Sequence, residues 1–166
     1  GTEPIRVAVD ITVEESTIEV DFSRSSDQVP AALNSYINYT RAYTTFAVKV
    51  FCDALLPQNE GGIRPIKTTA REGSFFNPTF PAASGGRATV QIRIFDAING
   101  ALSQALPHRA MGAFSHWNNP NIGGTDPRTG KSFVMYDLGF GGYGGRADSD
   151  GPEALAPVVN CRNIPI

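Results

Sequence analysis

Apolar and polar residues alternate with a period of two in residues 5–13, IRVAVDITV, and again in residues 17–22, TIEVDF. That period sends successive side chains to opposite faces of a strand, so each run is expected to bury one face. Glu14, Glu15 and Ser16 separate the runs, and an antiparallel hairpin is the natural pairing. From Pro30 a helical period takes over, with Leu33, Ile37, Tyr43, Ala47, Val50, Phe51 and Ala54 on one side. Pro30 suits a first helical turn and Pro57 stops the helix. Residues 62–68 read as a short strand and 72–78 as a loop. A second helix starts near Gly86, carries Gln91, Ile94, Phe95, Ile98, Ala101, Leu102 and Ala105 on one side, and ends at Pro107. A glycine-rich hairpin and a last extended stretch, residues 158–164, complete the chain. Strands and helices are segregated, so the expected class is α+β, one domain with a largely antiparallel sheet and two main helices.

Composition narrows the function. A chain of 166 residues buries roughly two thirds of its surface, enough for one core. With 41% hydrophobic and 18% charged residues it reads as a soluble globular protein. With a net charge of −2, nothing in the composition suggests the clustered basic face of a nucleic-acid binder. No apolar run approaches the ~20 residues of a membrane span, and no secretory leader is recognised. Cys52 and Cys161 are too few for a disulfide framework, and Cys52, inside a helical pattern, is expected to be a buried reduced thiol. The sequon Asn38-Tyr39-Thr40 falls in the same helix. A cytoplasmic setting follows.

Two segments imitate nucleotide-binding motifs, and both fail. Between Gly124 and Gly130 lie five residues where a phosphate loop needs four, and FVMYDL after Ser132 is a strand, not a helix. Asp126 to Gly130 is instead the tip of a β-hairpin. Gly139, Gly141 and Gly144 match a dinucleotide fingerprint, but Ala147-Asp148-Ser149-Asp150-Gly151-Pro152 leaves no room for the helix it requires. The glycines then have two readings: a tight crossing of backbones, or a close approach of ligand with Arg146 at its edge.

Several motifs occur in an order that resembles the B-type subunit of the hydantoinase/5-oxoprolinase family over nearly the whole chain. They are Asp21-Phe22-Ser23 with Asn34 before the helix, Gly61-Gly62-Ile63-Arg64-Pro65, and Glu72-Gly73-Ser74-Phe75-Phe76-Asn77-Pro78. Gly100-Ala101-Leu102-Ser103-Gln104-Ala105-Leu106-Pro107, Asn118-Asn119, Gly123-Gly124, Gly141-Gly142 with Arg146, and Asn160-Cys161-Arg162-Asn163 continue the series. The resemblance implies part of an ATP-dependent hydrolase of cyclic amides such as hydantoins or 5-oxoproline, related to ATP-dependent ketone carboxylases. It implies an A-type partner that phosphorylates the substrate oxygen with ATP and Mg, and an oligomeric assembly. It also implies a divalent metal held by an N-terminal portion, so this chain corresponds to a C-terminal part that lacks the metal site. His108 and His116 are too few for one, and Leu155-Ala156-Pro157 stand where many members have His-Thr-His. A non-catalytic module that docks the A-type partner is the competing reading.

The candidate catalytic residues are Asp137, as a base or as a charge partner of Arg146, and Arg146 itself. Asn118, Asn119, Gly141 and Gly142 are candidate substrate contacts, since an amide side chain offers both donor and acceptor to a cyclic amide. An Asx-type turn accounts equally for the asparagines, and Trp117 beside them is either a ring platform or a core residue. Asn118, Asn119, Asp137 and Arg146 are expected to meet on one concave patch. Gly85 and Gly86 open the second helix, where amides cap the helix or hold an anion. No metal ligand is assigned. Asp148 and Asp150 flank a turn and are expected to be solvated.

Overall fold

A computed structural model describes residues 3–55, 57–118, 120–137 and 139–152, with only the backbone of Trp117, Asn118 and Phe140. The stretch 158–164, Cys161 and Leu155-Ala156-Pro157 lie outside the described residues. Strand β1, Asp10–Glu14, turns at Glu15, φ 50°, into β2, Thr17–Asp21, as the expected antiparallel hairpin. Strand β3, Ile66–Thr69, pairs with β2 in parallel. A parallel neighbour needs a crossover connection. Helix α1, Ile37–Asp53, and the single turn α2, Glu60–Ile63, supply it. Two antiparallel pairings elsewhere keep the β-structure largely antiparallel. Helix α3, Arg87–Ala105, lies on α1, and the two cover one face of the three-stranded sheet. The class is α+β, as expected.

The first alternating run outlasts its strand for a reason the structure makes plain. Residues 5–9 lie beyond β1, and serine side chains stand in for ladder partners. The Ser25 hydroxyl accepts the Ala8 amide at 3.0 Å and donates to the Ala8 carbonyl at 2.9 Å. Ser26 Oγ accepts the Arg6 amide at 2.8 Å.

Helix α1 begins seven residues later than Pro30 suggests, because Asn34 organises the approach to it. Fully buried, Asn34 accepts the Val29 amide at 2.9 Å. Its amide nitrogen donates to the carbonyls of Val29, Ala31 and Ala83 at 2.8, 3.0 and 2.9 Å. The buried face of α1 is also rotated from the expected one: it carries Thr40, Thr44, Thr45, Ala47, Val48 and Phe51. Thr40 donates to the Phe76 carbonyl at 2.9 Å and Thr44 to the Thr40 carbonyl at 2.8 Å, so their hydroxyls are satisfied without water. Val50 is pushed to the edge, and Cys52, expected to be buried, is exposed. In the second half of the expected strand at 62–68 only Ile66 onward is extended. Before it, Asn59 caps α2 by accepting the Gly62 amide at 3.0 Å.

The loop at 72–78 is a plug for the core. Gly73 takes φ 77°, where a side chain is disfavoured, and Phe75 and Phe76 are driven fully into the interior. Phe76 meets Phe22 at 5.0 Å between ring centroids and Phe75 edge-on at 5.2 Å. Val20, Val48, Phe51, Ile94, Phe95 and Ile98 close the cluster.

At the end of β2, Asp21 accepts the Ser23 amide and hydroxyl at 3.0 and 2.6 Å and the Thr69 hydroxyl at 3.0 Å. Partial enclosure pushes its carboxyl up, but these bonds and the charge of Arg24 outweigh it and hold the pKa below the ordinary value. A carboxyl depressed in the folded state stabilises the protein above the ordinary carboxylate range, and that gain is lost as pH falls through the folded value. Thermal unfolding is therefore expected to separate wild type from Asp21→Asn at about pH 6 and to bring them together towards about pH 2. A gap independent of pH would show that the ionised form is not what Ser23 and Thr69 hold.

Candidate functional site

Past α3 the chain makes a 3-10 turn, Pro107–Arg109, and Arg109 reaches back to the end of α1. Its Nη1 donates to the carbonyls of Phe51 and Cys52, both at 2.7 Å, which satisfies two C-terminal acceptors of that helix with a cation. From there residues 111–146 form one long antiparallel hairpin. Met111 bridges Arg146, the Gly112 amide donates to the Gly145 carbonyl at 2.9 Å, and the Ser115 amide to the Gly142 carbonyl at 3.2 Å. Strand β4, Trp117–Asn118, pairs with β7, Gly139–Phe140, and β5, Asn121–Thr125, pairs with β6, Ser132–Tyr136. All these pairs fall in a single register. The tip is the expected turn: the Gly130 amide donates to the Asp126 carbonyl at 2.8 Å, with Gly130 at φ 67°.

The glycine run is largely accounted for by the crossing of backbones. A Cβ on Gly144 would overlap the Gly112 backbone, one on Gly141 the Ser115 side chain, and one on Gly151 the carbonyl of Tyr143. Gly142 and Gly145 differ, with no atom nearer than 3.6 Å to such a Cβ.

Helix α3 anchors the hairpin through a pair that the sequence reading missed. Arg93 and Asp96 bond each other at 2.5 Å and grip one residue between them. Asp96 accepts the Phe114 amide and Arg93 donates to the Phe114 carbonyl, both at 3.2 Å. Burial pushes the Asp96 carboxyl up, against the Phe114 bond and the charges of Arg93 and His116. His116 adopts φ 115°, a costly conformation for a residue with a side chain, and its carbonyl accepts the Gly141 amide at 2.9 Å. Nothing in the spacing of Arg93 and Asp96 distinguishes them from a surface ion pair of a helix.

Where the hairpin leaves the helices it encloses a cleft of about 320 Å³. Val50 and Phe51 of α1, Phe95 of α3 and Met111 supply its apolar wall. Asn99, His108, Arg109, Arg146 and Asp148 supply its polar groups. Asn99 is 7% exposed; its amide nitrogen donates to Phe95 at 2.9 Å, and its oxygen accepts no bond from a described residue.

Of the four residues expected on one patch, the structure sets Arg146 apart from Asn118 and Asp137. Arg146 is in the cleft, at the root of the hairpin. Asn118 pairs with Gly139 seven ladder steps away, roughly 20 Å at the ordinary rise of a strand. Asp137 lies beyond it, exposed, its amide donating to the Pro120 carbonyl at 3.2 Å. Asn119 lies outside the described residues, as does the side chain of Asn118. Gly141 and Gly142 belong to the intervening ladder. At the start of α3 the Gly86 amide is taken by the Ala32 carbonyl at 2.5 Å and the Arg87 amide by Ser84 at 3.2 Å. Gly86 lies so close to Ala32 that a Cβ would sit 3.0 Å from its oxygen, while Gly85 has no such neighbour. Among the described residues no three His, Cys, Asp or Glu side chains converge as metal ligands. Among the described residues no helix is long and apolar enough to cross a membrane.

Comparison with known proteins bears on what this arrangement serves. A family model described as Hydantoinase B/oxoprolinase matches residues 1–166. The chain is 32% identical over 179 residues to a Pseudomonas sp. (strain NS671) protein that bears the provisional name of a D-/L-hydantoinase B-type subunit, covering 98% of this chain and 28% of that protein. It is 28% identical to the β-subunit of the caprolactamase of Pseudomonas jessenii, covering 95% of this chain and 28% of that protein. The crystal structure of an ATP-dependent caprolactamase from the same organism matches with a TM-score of 0.73 and 25% identity, over 89% of this chain and 26% of that one. The chain thus spans under a third of the length of these relatives.

Proposed function

The chain belongs to the hydantoinase B/oxoprolinase family, and from that premise we propose that it is part of an ATP-dependent hydrolase that opens cyclic amides. The match of the family over the full chain carries the reading, and the fold shared with a caprolactamase supports it. An A-type partner would supply ATP and Mg and phosphorylate the amide oxygen. Phosphorylation leaves ADP and converts the amide carbon into a better electrophile; water adds to it, the ring C–N bond breaks as the nitrogen takes a proton, and a second water would cleave the resulting acyl phosphate to carboxylate and inorganic phosphate. A divalent metal, where the complete enzyme uses one, would be held by a part of the enzyme N-terminal to this sequence.

Within this chain the cleft at Arg146 is the part best suited to touch a small molecule, since it combines an apolar wall with polar groups from three segments. Asn118 and Asp137 belong to a second location along the hairpin. The test is turnover of hydantoin, 5-oxoproline and ε-caprolactam by the protein assembled with its A-type partner, followed by ring-opened product and ADP. Wild type is expected to couple the two for at least one ring. Arg146→Ala is expected to lower turnover by about tenfold or more, because a charge-assisted contact in a cleft is worth that much, with folding intact. Absence of ATP-dependent opening of every cyclic amide tried would overturn the reading.

One observation favours a docking role for another part of the molecule. Both strands of the β5–β6 ribbon are exposed throughout, and Ile122, Phe133, Val134, Met135 and Tyr136 are 44–79% exposed. An isolated ribbon with apolar side chains in water is suited to being covered by another surface.

A further inference from the structure

We propose that the β5–β6 ribbon inserts, with both faces covered, into the part of the family's polypeptide that extends beyond this sequence, as a permanent wedge and not as a docking site for a separate subunit. The inference deepens the docking observation above and rests on membership of the family, not on the cyclic-amide reaction. It starts from the register. Ile122 opposes Met135 and Gly124 opposes Phe133, while Gly123 opposes Val134 and Asn121 opposes Tyr136. Directly opposed residues share a face, and neighbours along a strand alternate. One face therefore carries Ile122, Met135 and Phe133, whose ring lies so close over Gly124 that a Cβ there would sit 3.0 Å from it. The other carries Val134 and Tyr136, 79% and 58% exposed.

A ribbon built to stay in water looks different. It shows apolar side chains on one face at most, and it carries charges or proline along its edges. Asn121–Thr125 and Ser132–Tyr136 contain no charged residue and no proline. Asp126 and Lys131 flank the two strands at the turn, and Asp137 follows β6. A contact surface depleted of charge throughout is the mark of a permanent interface, which resembles a domain interior cut in half.

Size decides between a covalently joined occupant and a separate one. Two strands of five residues make an outline of roughly 17 by 10 Å. Both faces together then offer about 350 Å², under half of the ~800 Å² per partner in a standard interface between separate proteins. A second copy or an A-type partner held by the ribbon alone would not offset the freedom lost on association. A segment of the same polypeptide is already tethered, so a small apolar surface suffices to hold it. The relatives have chain enough to enclose the ribbon. The matched region is 28% of the Pseudomonas sp. relative and 26% of the caprolactamase chain, so more than two thirds of either lies outside it.

Maleimide labelling of Val134→Cys and Met135→Cys, one on each face, tests this in a Cys52→Ser, Cys161→Ser background. The comparison is between the 166-residue chain, the full-length product of its gene, and that product with the A-type partner. Both cysteines are expected to react about tenfold or more slowly in the full-length product than in the 166-residue chain, by the same factor at every protein concentration. Deuterium exchange of residues 121–136 makes the same comparison without any substitution. Slowing at one cysteine alone means that the ribbon lies on a surface instead of entering a slot, and overturns the proposal. Slowing that appears only with the A-type partner assigns the ribbon to that subunit, and slowing that grows with concentration assigns it to a second copy; either result overturns it. Equal labelling of the 166-residue chain and the full-length product, or a gene product no longer than this chain, does so too. None of these measurements needs turnover. Their failure leaves the proposed function standing, and absence of ring opening leaves the ribbon's place unaffected.

Discussion

Phe76→Ala is expected to destabilise the protein by about 3–5 kcal/mol, the usual cost of emptying a fully buried aromatic position. Phe76 is 0% exposed and touches Phe22 on the sheet and Phe75 beside it, while its carbonyl accepts the Thr40 hydroxyl of α1. Sheet, loop and helix therefore meet at one residue, and the surrounding groups are tied by backbone bonds that resist collapse into the gap. Chemical denaturation, read by the midpoint at constant slope, measures the loss. A change under about 1 kcal/mol would mean the cavity closes, and that the loop at 72–78 is far less fixed than its hydrogen bonds to Ser26 and Gln28 indicate.

Asn34→Ala ranks next, with an expected cost of about 3 kcal/mol. The side chain serves four backbone groups: the Val29 amide and the carbonyls of Val29, Ala31 and Ala83. Truncation leaves several of them buried without partners, and in a protein of this size the loss corresponds to a fall in melting temperature of about 10 °C. Asn34→Asp sharpens the test. It keeps the shape and the acceptor but removes both N–H groups and faces three carbonyl oxygens with a carboxylate. It is expected to cost at least as much as alanine. Near-wild-type stability of the aspartate variant would show that the donor half of the side chain contributes nothing.

Asn34 also shows where sequence reasoning stops. Its position before the helix was legible as a motif, but its work was not, because the carbonyl of Ala83 lies far along the chain. The two helices, the first hairpin and the turn at Asp126 were readable from local periodicity and turn chemistry. The buried side of α1 was misjudged because Thr40 and Thr44 count as polar in any pattern, yet each finds a carbonyl nearby. The parallel partner of β2 was equally hidden, since pairing of β2 with β3 depends on α1 lying across them. At the candidate site, Arg146 stood out as the charge ending a glycine run. The cleft around it did not, because α1, α3 and the 3-10 turn contribute its walls from segments distant in sequence. Convergence with Asp137 was a reasonable expectation for a short hairpin. It fails for one whose described pairs keep a single register from Met111 to the tip.

That long hairpin has a practical meaning for anyone who follows unfolding with light. Trp117 is the only tryptophan in the sequence, and it lies on β4, out on the hairpin, while the packed interior is built from phenylalanine and aliphatic residues. Among the described residues the hairpin is held to α3 by the Phe114 clamp, while Phe114 and Tyr143 pack on each other within the hairpin. Indole emission therefore originates on that arm, and far-ultraviolet circular dichroism reports loss of α1 and α3. A pair of curves that fails to superimpose would record two events in one chain, and the fluorescence midpoint alone would understate how firmly the interior holds.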